Sequence, residues 1–168
     1  QQIYSENATA FDSERTKTLF ERPWLERLVK YLPVDATILD LGCGTGEPIA
    51  SFFINLGHQI TGIDFSEPML DIARKRFPNH TWLNQDIRTF ETDITYDSVI
   101  AWGSFFHLSQ NEQREHFNIF SRFLKPGGAA LITIGHVEGE VTGTINGRAV
   151  YHSSLSLNEY SSIIHKLG

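Results

Sequence analysis

The chain has 168 residues, a length that predicts one domain, and its 20 acidic against 14 basic residues give a net charge of −6. This balance disfavours a nucleic-acid partner, because neutralising phosphates takes a clustered basic face. One cysteine excludes an internal disulfide, and without a signal peptide or an apolar run near ~20 residues a soluble cytoplasmic protein is expected.

The predicted elements alternate between helix and strand along the chain. The first helix begins near Pro23 and ends between Tyr31 and Pro33. Five strands follow, each separated from the next by a helix or a polar segment, at residues 37–41, 59–63, 81–84, 96–102 and 129–134. Strands separated by helices pair in parallel through right-handed crossovers. The pattern therefore predicts a doubly wound, mostly parallel α/β sheet with helices on both faces.

Local motifs mark two helix starts and one hairpin in the second half of the chain. Ser109 with Glu112, and Ser156 with Glu159, have the spacing of capping boxes that open helices. The last helix runs to about residue 167. Residues 146–147, Asn-Gly, lie between two β-prone segments and predict a type I′ hairpin.

The most informative stretch covers residues 38–46, an apolar strand that ends in three alternating glycines. Glycine has no Cβ, so the backbone turns sharply there and lies directly against a ligand. Asp40 emerges at the carboxyl end of the strand, where open α/β sheets bind their ligands. A carboxylate in this place repels a pyrophosphate and attracts an amine or a sulfonium. The G-x-G-x-G spacing also differs from the dinucleotide fingerprint G-x-G-x-x-G.

This stretch resembles motif I of the class I S-adenosylmethionine-dependent methyltransferases, and the segments up to residue 135 fall in that family's order. Two later runs, Trp-x-Ser-Phe-Phe-His-Leu and Tyr-His-x-Ser-Leu, look like a bacterial subgroup that acts on small molecules. The resemblance implies a Rossmann-like methyltransferase fold, with S-adenosylmethionine as cofactor and S-adenosylhomocysteine as product. It implies one methyltransferase domain over residues 1–168, made of a helical cap (1–33), a cofactor-binding core (37–135) and a hairpin or lid with the last helix (136–168).

The chain departs from the family's pattern at the end of the sheet. Such methyltransferases close the sheet with two further antiparallel strands after the helix that ends at residue 168, and these strands are missing. The fifth strand, apolar throughout, is predicted to be buried on both faces. Natural proteins cover an apolar edge strand of this kind. We expect a disordered tail, a second subunit in a homodimer, or the hairpin at residues 143–151 to cover it.

The resemblance assigns a residue to each part of the cofactor. Asp64 is expected to accept from both ribose hydroxyls, and Asp86 from the adenine amino group, with the Ile87 backbone N–H reaching a ring nitrogen. Asp40, Gly42 and the carbonyl near Trp102 are expected to hold the methionine amino group. The full set of expected cofactor contacts is Asp40, Gly42, Gly44, Gly46, Asp64, Phe65, Met69, Asp86, Ile87 and Trp102. Alternatives stay open, because strand-end and loop aspartates also cap helices and form turns and Met69 also suits a core.

The acceptor side has two candidates for a catalytic base. His107 is the first, because its segment leaves the fourth strand at the ligand-facing edge and imidazole titrates near neutral pH. Tyr151 and His152 are the second, since they follow the hairpin and could fold over the sheet as a lid. Ordinary loop packing is the alternative for all three. A base is needed only when the acceptor arrives protonated.

Five further residues have weaker assignments. Arg88 and Phe105 are expected to line an acceptor pocket together with Trp102, and Arg88 suits an acceptor carboxylate. Tyr4 and Arg15 lie in a segment that covers the cofactor in similar enzymes, and Tyr4 would contact the sulfonium side. Cys43 is expected to be a small loop residue and not a nucleophile, because no base is near it in spacing.

The absence of two motifs restricts the class of molecule that is expected to accept the methyl group. Residues 101–104 read Ala-Trp-Gly-Ser, without the Asp or Asn, two prolines and aromatic that DNA amino-methylating relatives use. No acid at that strand end suits magnesium, which favours a metal-free site. The sequence therefore predicts methyl transfer to an O, N or S atom of a small molecule, with no membrane or nucleic-acid partner. The alternatives are a non-catalytic adenosylmethionine-binding or regulatory domain and an NAD-dependent oxidoreductase, which Asp40 and the glycine spacing oppose.

Overall fold

The computed structural model describes residues 19–145 and 148–168. Five parallel strands form one sheet in the order β3-β2-β1-β4-β5. The strands are β1 (Thr37–Leu41), β2 (Gln59–Asp64), β3 (Thr81–Asn84), β4 (Tyr96–Ala101) and β5 (Leu124–Ile132). The chain winds from β1 outward to β3 and then returns to β4 and β5 on the other side of β1. The predicted doubly wound α/β sheet is confirmed.

Helices cover both faces of this sheet. On one face lie α1 (Arg22–Val29), α2 (Ile49–Asn55) and α3 (Glu67–Arg76), and on the other α4 (Gln110–Arg122) and α5 (Leu157–Leu167). Each face of the sheet has its own hydrophobic core, and the strands contribute side chains to both, because successive side chains of a strand point to opposite faces. Ile38 packs with α1, α2 and α3, and Leu39 packs with α4 and α5. No helix in the described part of the chain has the length and apolar character needed to cross a membrane.

The capping motifs have different outcomes. At α4 the box is complete: the Ser109 backbone N–H donates to Glu112 Oε2 at 2.7 Å, and the Glu112 N–H donates to Ser109 Oγ at 3.3 Å. At α5, Ser156 Oγ accepts from the Glu159 N–H at 3.1 Å, but the Glu159 carboxylate pairs with Arg114 Nε at 2.6 Å. The second box is therefore half formed, because α4 lies beside α5 and offers Glu159 a charged partner.

The prediction that the fifth strand is buried on both faces is wrong. β5 is half-exposed, since β4 is its only strand neighbour among residues 19–145 and 148–168. It also begins at Leu124, and its pairing with β4 shifts register across Pro126 and its neighbours, which an edge strand tolerates. A tail or a second subunit over the outer edge remains a prediction.

The predicted hairpin is present but does not extend the main sheet. Its strands β6 (Gly139–Ile145) and β7 (Arg148–Ser154) pair with each other in a separate antiparallel sheet. The turn at residues 146–147 lies outside the described residues. β7 packs on a short 3₁₀ helix, Phe105–His107, that follows β4. The hairpin therefore covers the carboxyl end of β4 instead of the edge of β5.

Candidate functional site

A cavity of about 650 Å³ lies at the carboxyl ends of the parallel strands. β1 has β2 on one side and β4 on the other, so the strand order reverses here, and open α/β sheets bind ligands at such a point. The volume is in the range of small-molecule sites. The predicted site residues that line the cavity are Gly42, Gly44, Asp64, Phe65, Met69, Asp86, Ile87, Arg88, Trp102, His107 and Tyr151.

Other predicted residues lie elsewhere. Asp40 is 3% exposed and is not among the lining residues, so its contact with the methionine amino group stays a prediction. Gly46 faces away, since a Cβ there would meet the Phe77 and Trp82 rings at 3.0 and 3.1 Å. Phe105 does not line an acceptor pocket, because it is fully buried in the core below α4. Residues 4 and 15, Tyr and Arg, lie outside the described residues.

The glycine loop presents bare backbone to the cavity. The N–H groups of Gly42 and Cys43 both donate to the Ile63 carbonyl, at 2.7 and 3.0 Å, which holds the loop against the end of β2. Gly42 has φ +81°, and a Cβ there would lie 2.4 Å from the Cβ of Ser104. Among the described residues, a Cβ on Gly44, at φ +55°, would meet only the Met69 sulfur, at 3.9 Å. The space beside Gly44 is therefore a cradle that a larger residue would begin to fill.

Asp64 joins the glycine loop to α3. Its Oδ2 accepts from the Gly44 N–H at 2.9 Å and its Oδ1 from the Ser66 N–H at 2.8 Å. An ionised carboxylate has about four lone-pair sites, so each oxygen can also accept a bond from a ligand in the cavity. Burial raises the pKa of Asp64, and the backbone hydrogen bonds from Ser66, Gly44 and Phe65 oppose that rise. Asp64 thus lies at the start of α3 and also lines the cavity, so both sequence interpretations keep structural support.

Asp86 forms a turn and an ion pair with Arg88. The Arg88 backbone N–H and its Nε both donate to Asp86 Oδ1 at 2.9 Å, and Nη2 contacts Oδ2. The sequence did not predict this pair. It leaves the adenine contact of Asp86 as a prediction, and an acceptor carboxylate would compete with Asp86 for Arg88.

The hairpin brings the three predicted catalytic residues together. His107 Nδ1 lies 3.0 Å from the Tyr151 carbonyl oxygen, which only accepts, so Nδ1 carries the proton and the neutral ring has its lone pair on Nε2. The His152 ring stacks on His107 at 4.9 Å and 28°, although His152 does not itself line the cavity. Burial lowers the pKa of His107, and the bond to Tyr151 opposes this. His107 is therefore neutral at pH 7.

A buried glutamine that the sequence analysis missed holds this wall in place. Gln113 of α4 is fully buried, and its Nε2 donates to the carbonyls of Leu108 and Ser153, both at 3.0 Å. Its Oε1 accepts from the Tyr160 hydroxyl at 2.5 Å. One side chain thus ties together the end of the 3₁₀ helix, β7 and α5. The helical pattern around it offers no signal for this role, because Ser153 and Tyr160 lie 40 and 47 positions away in sequence.

Glu21 was also missed. It lines the cavity although the residue is only 2% exposed, and a charged residue just before a helix ordinarily indicates a solvated helix start. Phe20 and Ser104 line the cavity as well.

Cys43, in the same loop, is buried. Burial, followed by the nearby Asp40 and Asp64 carboxylates, raises its pKa well above the ordinary value of a thiol. Cys43 therefore stays protonated near neutral pH, which agrees with its interpretation as a loop residue and not a nucleophile.

Residues 38–128, more than half of the chain, match the family model described as a methyltransferase domain. The chain belongs to this methyltransferase family. The domain is 33% identical over 138 residues to YqeM of Bacillus subtilis (strain 168), which is named as a methyltransferase, and the match covers 79% of this chain and 55% of YqeM. The chain spans about half the length of the curated relatives it matches.

Solved structures share the fold of this methyltransferase domain. DhpI, solved as a complex with SAH, matches with a TM-score of 0.73 and 21% identity over 99% of this chain and 84% of DhpI. The sugar N-methyltransferase KedS8 from Streptoalloteichus matches with a TM-score of 0.73 and 20% identity over 95% of this chain and 83% of KedS8. At these identities the likeness shows the fold alone, and it confirms the Rossmann-like methyltransferase architecture.

Proposed function

We propose that this methyltransferase domain binds S-adenosylmethionine and transfers its methyl group to an O, N or S atom of a small molecule. The observation that carries the proposal is the cavity at the carboxyl ends of β1 and β4, with the open backbone of Gly44 and the carboxylate of Asp64 on its floor. DhpI in its SAH complex and KedS8, by name a sugar N-methyltransferase, support the cofactor and the acceptor class.

The residues of the cavity fit the parts of this cofactor. Asp64 has acceptor capacity for the ribose hydroxyls, and Phe65 and Met69 offer apolar surface for the adenine. Ile87 also lines this end, and its backbone N–H is the proposed partner of a ring nitrogen. When bound, S-adenosylmethionine supplies a methyl carbon that a positively charged sulfur has already activated for in-line displacement.

On the acceptor side the proposed work of the protein is positioning and, for a protonated acceptor, proton removal. Trp102, His107 and Tyr151 share one region of the cavity wall, because β7 packs on the 3₁₀ helix. Holding two reactants in line can contribute ~7 to 11 kcal/mol to lowering a barrier. Nε2 of His107 is the proposed general base. The Tyr151 carbonyl and the His152 ring hold the imidazole in its tautomer and orientation.

Calorimetric titration of the protein with S-adenosylhomocysteine, and separately with NADH, tests the cofactor. Micromolar binding of the first and none of the second is expected, because Asp40 and the G-x-G-x-G spacing of the glycine loop oppose the binding of a pyrophosphate. Labelled S-adenosylmethionine offered with panels of amines, alcohols and thiols then tests transfer. Absence of binding would overturn the proposal, and binding without transfer to any acceptor would favour the non-catalytic alternative.

We expect His107→Gln to lower kcat about 10²- to 10⁴-fold for an acceptor that must lose a proton, with affinity for S-adenosylhomocysteine within twofold of wild type. The pKa of His107 is lowered from its usual 6.5, so the wild-type rate should hold below pH 6.5 and fall only as pH drops through the lowered pKa. The variant should lack that acid limb. His165→Gln, at the exposed end of α5, is the control. A fully active His107→Gln enzyme would remove His107 from the mechanism.

A further inference from the structure

Glu21 is an acidic residue of the cavity lining that the proposed function leaves unused. The residue is 2% exposed, and its Oε2 has no hydrogen-bond partner among residues 19–145 and 148–168. Buried polar atoms nearly always have a partner, and a buried carboxylate without one is strongly unfavourable. Because Glu21 lines the cavity, a hydrogen-bond donor on a bound ligand can supply the missing partner.

The carboxylate does not serve its own helix. Glu21 is the N-cap residue of α1, yet its side chain makes no capping hydrogen bond. The helix start is held by the main chain instead, because the Glu21 carbonyl accepts from the N–H groups of Trp24 at 3.0 Å and Leu25 at 3.2 Å. A capping hydrogen bond therefore does not account for an acid in this position.

The position of α1 places Glu21 on the β4 side of the cavity. The Trp24 ring lies 6.0 Å from the Trp102 ring at the end of β4, and Leu25 is buried in the same core as Ile100 of β4. Asp64 lies on the opposite side, at the end of β2. A ligand that rests its ribose on Asp64 therefore extends across the glycine loop toward Glu21.

The charges that line the cavity show which group of the cofactor suits an acid at Glu21. Among the described residues, three acids line the cavity: Asp64, which accepts from Gly44 and Ser66; Asp86, which pairs with Arg88; and Glu21. S-adenosylmethionine carries two cationic groups on its methionine part. The sulfonium has no hydrogen to donate, whereas the α-ammonium has three.

We infer that Glu21 binds the α-ammonium group of the methionine part of S-adenosylmethionine, an inference that rests on the proposed function. The sequence analysis assigned this contact to Asp40, Gly42 and the carbonyl near Trp102. Gly42 and Trp102 line the cavity, but Asp40, the one acid among them, does not. Glu21 makes the methionine end of the site select a cation with N–H donors. The same carboxylate then anchors S-adenosylhomocysteine, which keeps the ammonium after the methyl group has left.

Two ligands and three proteins test this contact by calorimetry. The ligands are S-adenosylhomocysteine and its desamino analogue, in which hydrogen replaces the α-amino group. The proteins are wild type, Glu21→Gln and the control Glu26→Gln, which changes an exposed glutamate on the same helix. We expect Glu21→Gln to weaken the binding of S-adenosylhomocysteine about tenfold or more. The affinity for the desamino analogue should change by less than twofold. The control should match wild type with both ligands.

Each other outcome has a defined meaning. If Glu21→Gln loses affinity for both ligands equally, Glu21 only supports the shape of the cavity. If it loses affinity for neither, its role lies elsewhere, such as at the acceptor. Either result overturns the inference. The melting temperature of the ligand-free variant is a second readout, and removing an unpartnered buried charge should not lower it. If wild type binds neither ligand, the proposed function itself fails.

Discussion

Asp64→Asn is expected to weaken the binding of S-adenosylhomocysteine about 10- to 150-fold. A hydrogen bond to a charged group contributes about 1.5 to 3 kcal/mol, and the amide that replaces one carboxylate oxygen cannot accept. That loss also affects the protein, because Gly44 and Ser66 each donate to one oxygen of Asp64. Isothermal titration calorimetry measures the change in affinity.

Asp93→Asn is the matched control, since it changes an exposed carboxylate that does not line the cavity. It should bind as wild type does. Thermal melting of both variants shows how far the loop itself is loosened. Unchanged affinity in Asp64→Asn would rule out the proposed contact with the ribose.

Gln113→Leu is expected to lower the free energy of unfolding by about 2 to 4 kcal/mol. Leucine has a similar volume but leaves the buried Ser153 carbonyl and the Tyr160 hydroxyl each short of a hydrogen bond, and every such group costs about 1 to 3 kcal/mol. Urea denaturation followed by circular dichroism measures the change. The variant should also loosen β7 and so shift the NMR signals of the His107 ring.

Asn118→Leu, at an exposed position of the same helix, is the control for Gln113→Leu. It should change the free energy of unfolding by less than 0.5 kcal/mol, as ordinary surface substitutions do. A Gln113→Leu protein as stable as this control would show that the network of Gln113 does not hold the hairpin.

Much of the fold could be predicted because its signals are local. The strand at residues 37–41, the glycines that follow it and the capping box at Ser109 each depend on neighbours within a few residues. The half-formed box at Ser156 shows the limit of such signals. Its spacing is correct, but Glu159 meets Arg114 only because two helices lie side by side.

The candidate site divides in the same way. Strand ends mark cofactor positions because parallel strands all finish at one edge of the sheet, so Asp64, Asp86 and Trp102 could be chosen from the sequence, and all three line the cavity. Phe105 was misplaced, because nothing in a run of aromatic residues tells which ring turns toward the core. Glu21 was overlooked, because its burial depends on where α1 packs.

By itself the sequence determined the order of strands and helices and the glycine loop beside Asp64. Backbone preference and apolar periodicity act over one or two turns of chain, so neighbouring residues determine these features. Only the tertiary structure decided that β7 meets His107, that Gln113 binds β7 and α5, and that Glu21 lies buried over the cavity. Each of these depends on contacts between residues more than 35 positions apart or on burial beneath other elements, and no local pattern encodes such contacts.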